Sequence, residues 1–87
     1  MTGIIKFGDV IFVKDEESSD GLIDHYIAEH GLNNYRIKVD NTLNPPYYEL
    51  FVDYERREPD GRKRRVHDRL FATSNIDKIG SYYFNNQ

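Results

Sequence analysis

Few side chains in this chain are of types and spacings that do chemistry. His25 and Glu29 are four residues apart, so on a helix they could share a metal ion. No third ligand follows at a recognisable spacing. His67-Asp68-Arg69 sets a base, an acid and a cation in a row. In a strand, however, neighbours point to opposite faces, so His67 and Asp68 form no dyad. There is no Cys, which removes thiolate metal sites, Cys nucleophiles and disulfides. No Gly-rich phosphate loop and no setting for a Ser nucleophile is present. The expectation is a protein that is not an enzyme, with no catalytic residue, no metal and no cofactor.

Charge offers more. The formal net charge is -3, but it is unevenly spread. Residues 1–44 carry eight acids and four bases, a net of -4; residues 45–87 carry seven acids and eight bases, a net of +1. Such asymmetry marks two different binding faces. Asp15, Glu16, Glu17, Asp20, Asp24 and Glu29 fall in a stretch of 21 residues, Asp15 to Tyr35, without Lys or Arg. Carboxylates on a rigid frame present paired anionic oxygens to Arg and Lys, as phosphates do. This set is a candidate docking face for a basic protein.

The opposite charge gathers at Arg56, Arg57, Arg62, Lys63, Arg64 and Arg65, around Pro59-Asp60-Gly61. That tripeptide suits a three-residue hairpin loop. Counting outward, Arg57 faces Lys63, Arg56 faces Arg64, Glu55 faces Arg65, Tyr54 faces Val66, Asp53 faces His67, Val52 faces Asp68 and Leu50 faces Leu70. One face collects Tyr48, Leu50, Val52, Tyr54, Val66, Leu70 and Ala72 for a core, with Asp68 the exception. Opposite charges across a ladder contribute roughly 0.2–1 kcal/mol each, and like charges are unfavourable, at a small cost in water where long side chains splay apart and salt screens them. Two like pairs at the tip should therefore seek an anionic surface. No aromatic ring lies between Arg56 and Arg65 to stack on a base.

The elements that must position these groups follow from hydrophobic pattern. Residues 4–14 read as one strand, bent or bulged at Gly8. An acidic loop spans 15–20. Ser18 or Ser19 offers a helix N-cap, and Asp20 suits the positive end of the helix dipole. Leu22, Ile23, Tyr26 and Ile27 recur at helical spacing and predict a helix over 20–30, ended by Gly31. Tyr35, Ile37 and Val39 alternate with Arg36, Lys38 and Asp40, which predicts a strand. Asn41 to Pro46 is a loop. Long strands at 47–57 and 62–72 form the hairpin. Thr73 or Ser74 caps a helical turn through Ile79 that Gly80 ends, and Ser81 to Phe84 adds a short edge strand before a frayed tail. Tyr47-Tyr48 and Tyr82-Tyr83 each put one ring on either face.

Eighty-seven residues make one small domain, 1–87. Its modest core leaves stability marginal or dependent on self-association. Aromatics at 14% argue for a folded chain. The expected fold is α+β and two-layer: an antiparallel-rich β-sheet, order β-α-β-β-β, with one helix packed on it and a long β-hairpin. No apolar run is long enough for a secretory signal or a membrane span, which leaves a cytoplasmic location by default.

The run Asp15-Glu16-Glu17, Asp20, Asp24, Glu29 and the Asn/Tyr-rich end Ser81 to Gln87 resemble, in kind, small phage-encoded host-takeover proteins. More narrowly, the chain is similar in size and charge to acidic DNA-mimic inhibitors, such as those of Bacillus lytic phages that block the histone-like protein HU. The resemblance implies a non-enzymatic inhibitor, acting in the host cell cytoplasm. It would dock its acidic face on a basic nucleic-acid-binding host protein and compete with DNA. The alternatives are a nucleic-acid binder that uses the basic tip 56–65, and a self-assembling structural protein. A weak homodimer is also expected, with Arg56, Arg57, Lys63 and Arg64 meeting Asp15 to Asp20 of a second copy.

Overall fold

The computed structural model describes residues 3–84. Its framework is a six-stranded antiparallel meander, open at both edges. The strands are β1 (Ile4–Phe7), β2 (Val10–Lys14), β3 (Ile23–His30), β4 (Asn33–Asp40), β5 (Tyr47–Arg57) and β6 (Lys63–Thr73), followed by a short helix, α1 (Asp77–Tyr83). Neighbours in sequence are neighbours in the sheet throughout, so every connection is a hairpin or a short loop.

The expected β-α-β-β-β order is overturned at two places. Residues 4–14 are two strands rather than one. Phe7 pairs with Val10, and Gly8, at φ 58°, turns the chain in a two-residue hairpin. The second correction is larger: no helix forms over 20–30. That segment is β3, hydrogen-bonded to β2 on one side and β4 on the other. The groups read as helix signals do other work. The Asp20 carboxylate accepts from the backbone N–H groups of Leu22 (3.0 Å) and Ile23 (2.8 Å), an Asx turn that launches the strand. The Ser19 hydroxyl accepts from the His25 amide at 2.9 Å and donates to the Asp15 carbonyl at 2.8 Å, zipping the loop to the strand. Gly31, at φ 65°, is not a helix C′ but the turn that pairs His30 with Asn33.

The 47–73 hairpin keeps the expected register from Arg57 opposite Lys63 down to Val52 opposite Asp68. A bulge then intervenes: Phe51 faces Arg69, but Leu50 faces Phe71, not Leu70. One extra residue in β6 puts Phe71, rather than Leu70 and Ala72, opposite the core leucine. Asp68 shares a face with Val52 yet stays exposed, because β6 is an edge strand with nothing beyond it.

Phe7, Val10, Phe12, Ala28, Ile37, Val39, Leu50 and Ile79 form the core. All but Ile79 lie on one face of the sheet, here the inner face. Ile79 comes from α1, which runs through Gly80 instead of ending there and replaces the expected edge strand at 81–84. The Asn75 carboxamide accepts from the Asp77 amide at 3.1 Å, so Asn75, not Thr73 or Ser74, serves the helix start. Bare Cα at Gly80 lets the helix lie on the Phe7 ring, and Phe84 then stacks on Phe7 at 5.7 Å. The Tyr83 hydroxyl donates to the Leu70 carbonyl at 2.9 Å. A seven-residue helix is only about 10 Å long. Together with Phe84 it touches both β1 and β6, so the sheet must curl around it. The other face, the outer one, has no covering layer among the described residues. The tail at 85–87 lies outside them.

Candidate functional site

The basic tip becomes an arm because β5 and β6 outrun the rest of the sheet. The last β4–β5 pair is Asn34 with Asp53. Beyond it, Tyr54 to Arg57 pair only with Lys63 to Val66. This two-stranded ribbon belongs to a molecule measuring 46 × 31 × 22 Å. Its loop is closed by the Glu58 amide on the Arg62 carbonyl (2.8 Å) and the Gly61 amide on the Glu58 carbonyl (2.9 Å).

Residues 54–66 carry six bases and three acids, a net of +3. Glu58 relieves one like-charge pair: its Oε1 accepts from Arg56 at 3.3 Å and lies 3.9 Å from Arg64. Arg62 is held by Asp60 at 3.5 Å. Arg57, Lys63 and Arg65 have no ion-pair partner among the described residues, and strand alternation puts all three on the outer face. Glu55 stands opposite Arg65 without closing an ion pair. The unmatched charge is thus a short cationic row, Arg57, Lys63 and Arg65, along one side of the arm.

Toward the body the outer face becomes internally neutral. Glu49 sits between Arg69 (2.9 Å) and Lys38 (3.7 Å). Asp53 contacts His67, whose ring stacks on Phe51 at 5.1 Å and 9°. Asp15 lies 4.0 Å from Arg36. His25 lies on this face too, its Nδ1 shielded from solvent and without a hydrogen-bond partner among the described residues. Burial, and then the Arg36 and Lys38 cations, hold its pKa below the usual imidazole value; Asp15 and Asp24 oppose the cations.

The six acids do not make a single surface. Asp24 is buried on the inner face, taking hydrogen bonds from the Gly21 amide (3.1 Å) and the Asn41 carboxamide (3.0 Å), with Lys14 at 3.9 Å. Asp20 is spent on its Asx turn, whose amides hold its pKa below the ordinary carboxylate value. Asp15 is bonded by Ser18, which lowers its pKa in the same way. Glu16 and Glu17 are exposed in the β2–β3 loop, while Glu29 is exposed at the other end of β3. His25 and Glu29 share the outer face but lie about 13 Å apart along the strand. Among the described residues no three His, Cys, Asp or Glu side chains converge as a metal site.

One feature escaped the sequence reading. Ile4, Ile11, Val13 and Ile27 all point to the outer face, at 53%, 48%, 52% and 42% exposure. Ile11, Val13 and Ile27 adjoin a shallow depression that Arg36, Asp53 and Arg65 help to line. The alternation in Val10 to Val13 would have revealed Ile11 and Val13 had 4–14 been read as a hairpin. Tyr47 is exposed and Tyr48 half-buried, as a strand pair requires, whereas Tyr82 and Tyr83 are both exposed on α1. No helix among the described residues is long and apolar enough to cross a membrane.

Comparison of the chain with protein-family models, curated proteins and solved structures finds no match.

Proposed function

We propose that this is a non-enzymatic nucleic-acid-binding protein whose contact element is the 54–66 ribbon. The observation that carries the reading is the arm itself: two strands projecting past the sheet with three unmatched cations on one side. A two-stranded ribbon fits a groove of a duplex, and backbone phosphates supply the anion that the Arg57–Lys63 pair lacks.

Net acidity does not oppose this. The β2–β3 loop, with Glu16 and Glu17, lies at the end of the strands opposite the arm tip. Eleven residues of β5 span about 35 Å. The screening length at physiological ionic strength is about 8 Å. A phosphate at the tip therefore meets the arm's local +3 rather than the whole chain's -3.

The acidic-face inhibitor has less support, because Asp15, Asp20 and Asp24 are committed to local structure and Glu29 stands apart from Glu16 and Glu17. A cytoplasmic location, in reach of nucleic acid, fits the arm reading. Its test is a gel shift with duplex DNA and with RNA, comparing the wild-type chain with an Arg57→Gln, Lys63→Gln, Arg65→Gln variant. Retarded wild type and unretarded variant are expected. No retardation of wild type at low salt, or equal retardation of both, overturns the reading.

A further inference from the structure

The exposed apolar residues on the outer face fall into register with two charges. Ladder pairing sets Ile4 beside Val13 and Val13 beside Ile27, a cross-strand row of three β-branched side chains on β1, β2 and β3. Two residues away along the strands, the same pairing sets Lys6 beside Ile11. Continued from Val13–Ile27, it brings Ile11 level with Glu29. The second row therefore reads Lys6, Ile11, Glu29. Lys6 and Glu29 are both exposed, and neither has an ion-pair partner among the described residues. Within one chain their strands are two spacings apart, about 10 Å, with Ile11 between them.

This arrangement is complementary to itself. We propose that a second copy of this chain covers the outer face of β1–β3, related by a two-fold axis running along β2. Such an axis lays β1 of one protomer over β3 of its partner and β2 over β2. The row Ile4, Val13, Ile27 then packs on the same row reversed, and Val13 meets Val13. The row Lys6, Ile11, Glu29 also meets its reverse, so each Lys6 finds the other protomer's Glu29. Residue i meeting j while j meets i is what a two-fold interface demands. Face-to-face sheets pack about 10 Å apart, a gap that a lysine and a glutamate reaching toward each other can close. The curl of the sheet turns β4–β6 away from the contact, so the interface is narrow and centred on β2. A partner of another kind would have to match an alternation of charge and β-branched side chain that this chain already carries.

The test is sedimentation of the full chain with three variants, fold being checked by circular dichroism. Wild type should be a dimer. Val13→Asp should be a folded monomer, since Val13 is half exposed and its replacement leaves the core intact. Lys6→Glu sets two like-charge pairs across the interface and should weaken association at least about tenfold. Adding Glu29→Lys to Lys6→Glu restores both pairs with reversed polarity and should recover the dimer. A wild-type monomer at about 1 mM, the weak end of specific association, overturns the proposal. So does a dimer indifferent to Val13→Asp, or a charge swap that fails to rescue.

Discussion

The salt dependence of nucleic-acid binding tests the arm quantitatively. Of its six bases, Arg56 and Arg64 share Glu58 and Arg62 is held by Asp60, which leaves Arg57, Lys63 and Arg65 for phosphates. Neutralising Z phosphates of duplex DNA gives a slope of about -0.9Z in log K against log salt. Three contacts from one arm predict a slope near -2.7, so a single arm's affinity should fall about 40-fold between roughly 50 and 200 mM salt. In the Arg57→Gln, Lys63→Gln variant one contact remains; the slope should shrink to about -0.9 and the fall to three- or fourfold. Fluorescence anisotropy of a labelled duplex, titrated at four salt concentrations, reads both slopes. The same steep slope in variant and wild type would mean that the phosphates meet other cations, and the reasoning from unmatched charge would fail. A slope near -5 from a single arm would mean that the acid-paired arginines also release their partners to bind.

The fold makes three further predictions. Ile37→Ala, at a fully buried site, should cost about 2–5 kcal/mol, whereas Leu22→Ala, at 62% exposure, should stay within about 0.5 kcal/mol in denaturant melts. Equal costs would mean that Leu22 is buried in the folded chain, against its exposed place before β3. Gly80→Ala should destabilise despite a helix-propensity gain of about 1 kcal/mol. The new Cβ would stand 2.5 Å from Phe7 Cδ1, and overpacking typically costs about 1–3 kcal/mol; a raised melting temperature would refute it. His25 has a depressed folded pKa, so the unfolded chain binds its proton first as pH falls. Its contribution should be complete above about pH 6.5 and be lost as pH drops through the folded value. His25→Gln should flatten the fall of stability as pH drops below about 6.5, and an unchanged slope would exclude His25 as the cause.

The long hairpin was legible because three signals agreed: a loop tripeptide, alternation on both flanks, and cross-strand charge pairs. The register failed only where a bulge inserted Leu70, and nothing in Arg69-Leu70-Phe71-Ala72 announces an extra residue. β3 was misread because its alternation is corrupted on both faces. Asp24, a charge, points inward and is satisfied by Gly21, Asn41 and Lys14; Ile23 and Ile27, both apolar, point outward. With those exchanges Leu22, Ile23, Tyr26 and Ile27 match a helical stripe better than a strand. Only the loop bonds from Ser19 and Asp20, and the partners on both sides, decide for the strand, and both depend on tertiary context. The arm's position was visible in sequence, but its projection was not, since that depends on the β4–β5 pairing ending at Asn34 and Asp53.

The residues that defeated the alternation rule also mark a surface. A sequence specifies a fold when its local signals agree, and the exceptions gather where another demand acts. Asp24 is an exception with a structural cause. Ile27 has none among the described residues, and neither do Ile4, Ile11 and Val13 in the same patch. A lone exposed aliphatic side chain is ordinary, but four in two adjoining rows, bracketed by an unpaired lysine and an unpaired glutamate, are not. The two surfaces then bear on one another. An axis along β2 sends both arms out from the same end of a dimer, splayed by the roughly 20–25° of twist at each strand step. Two arms on one duplex double the phosphate contacts, so the wild-type salt slope would approach -5.4. The same steepening in a Val13→Asp monomer would come from the acid-paired arginines, whereas a return to about -2.7 would come from losing the second arm.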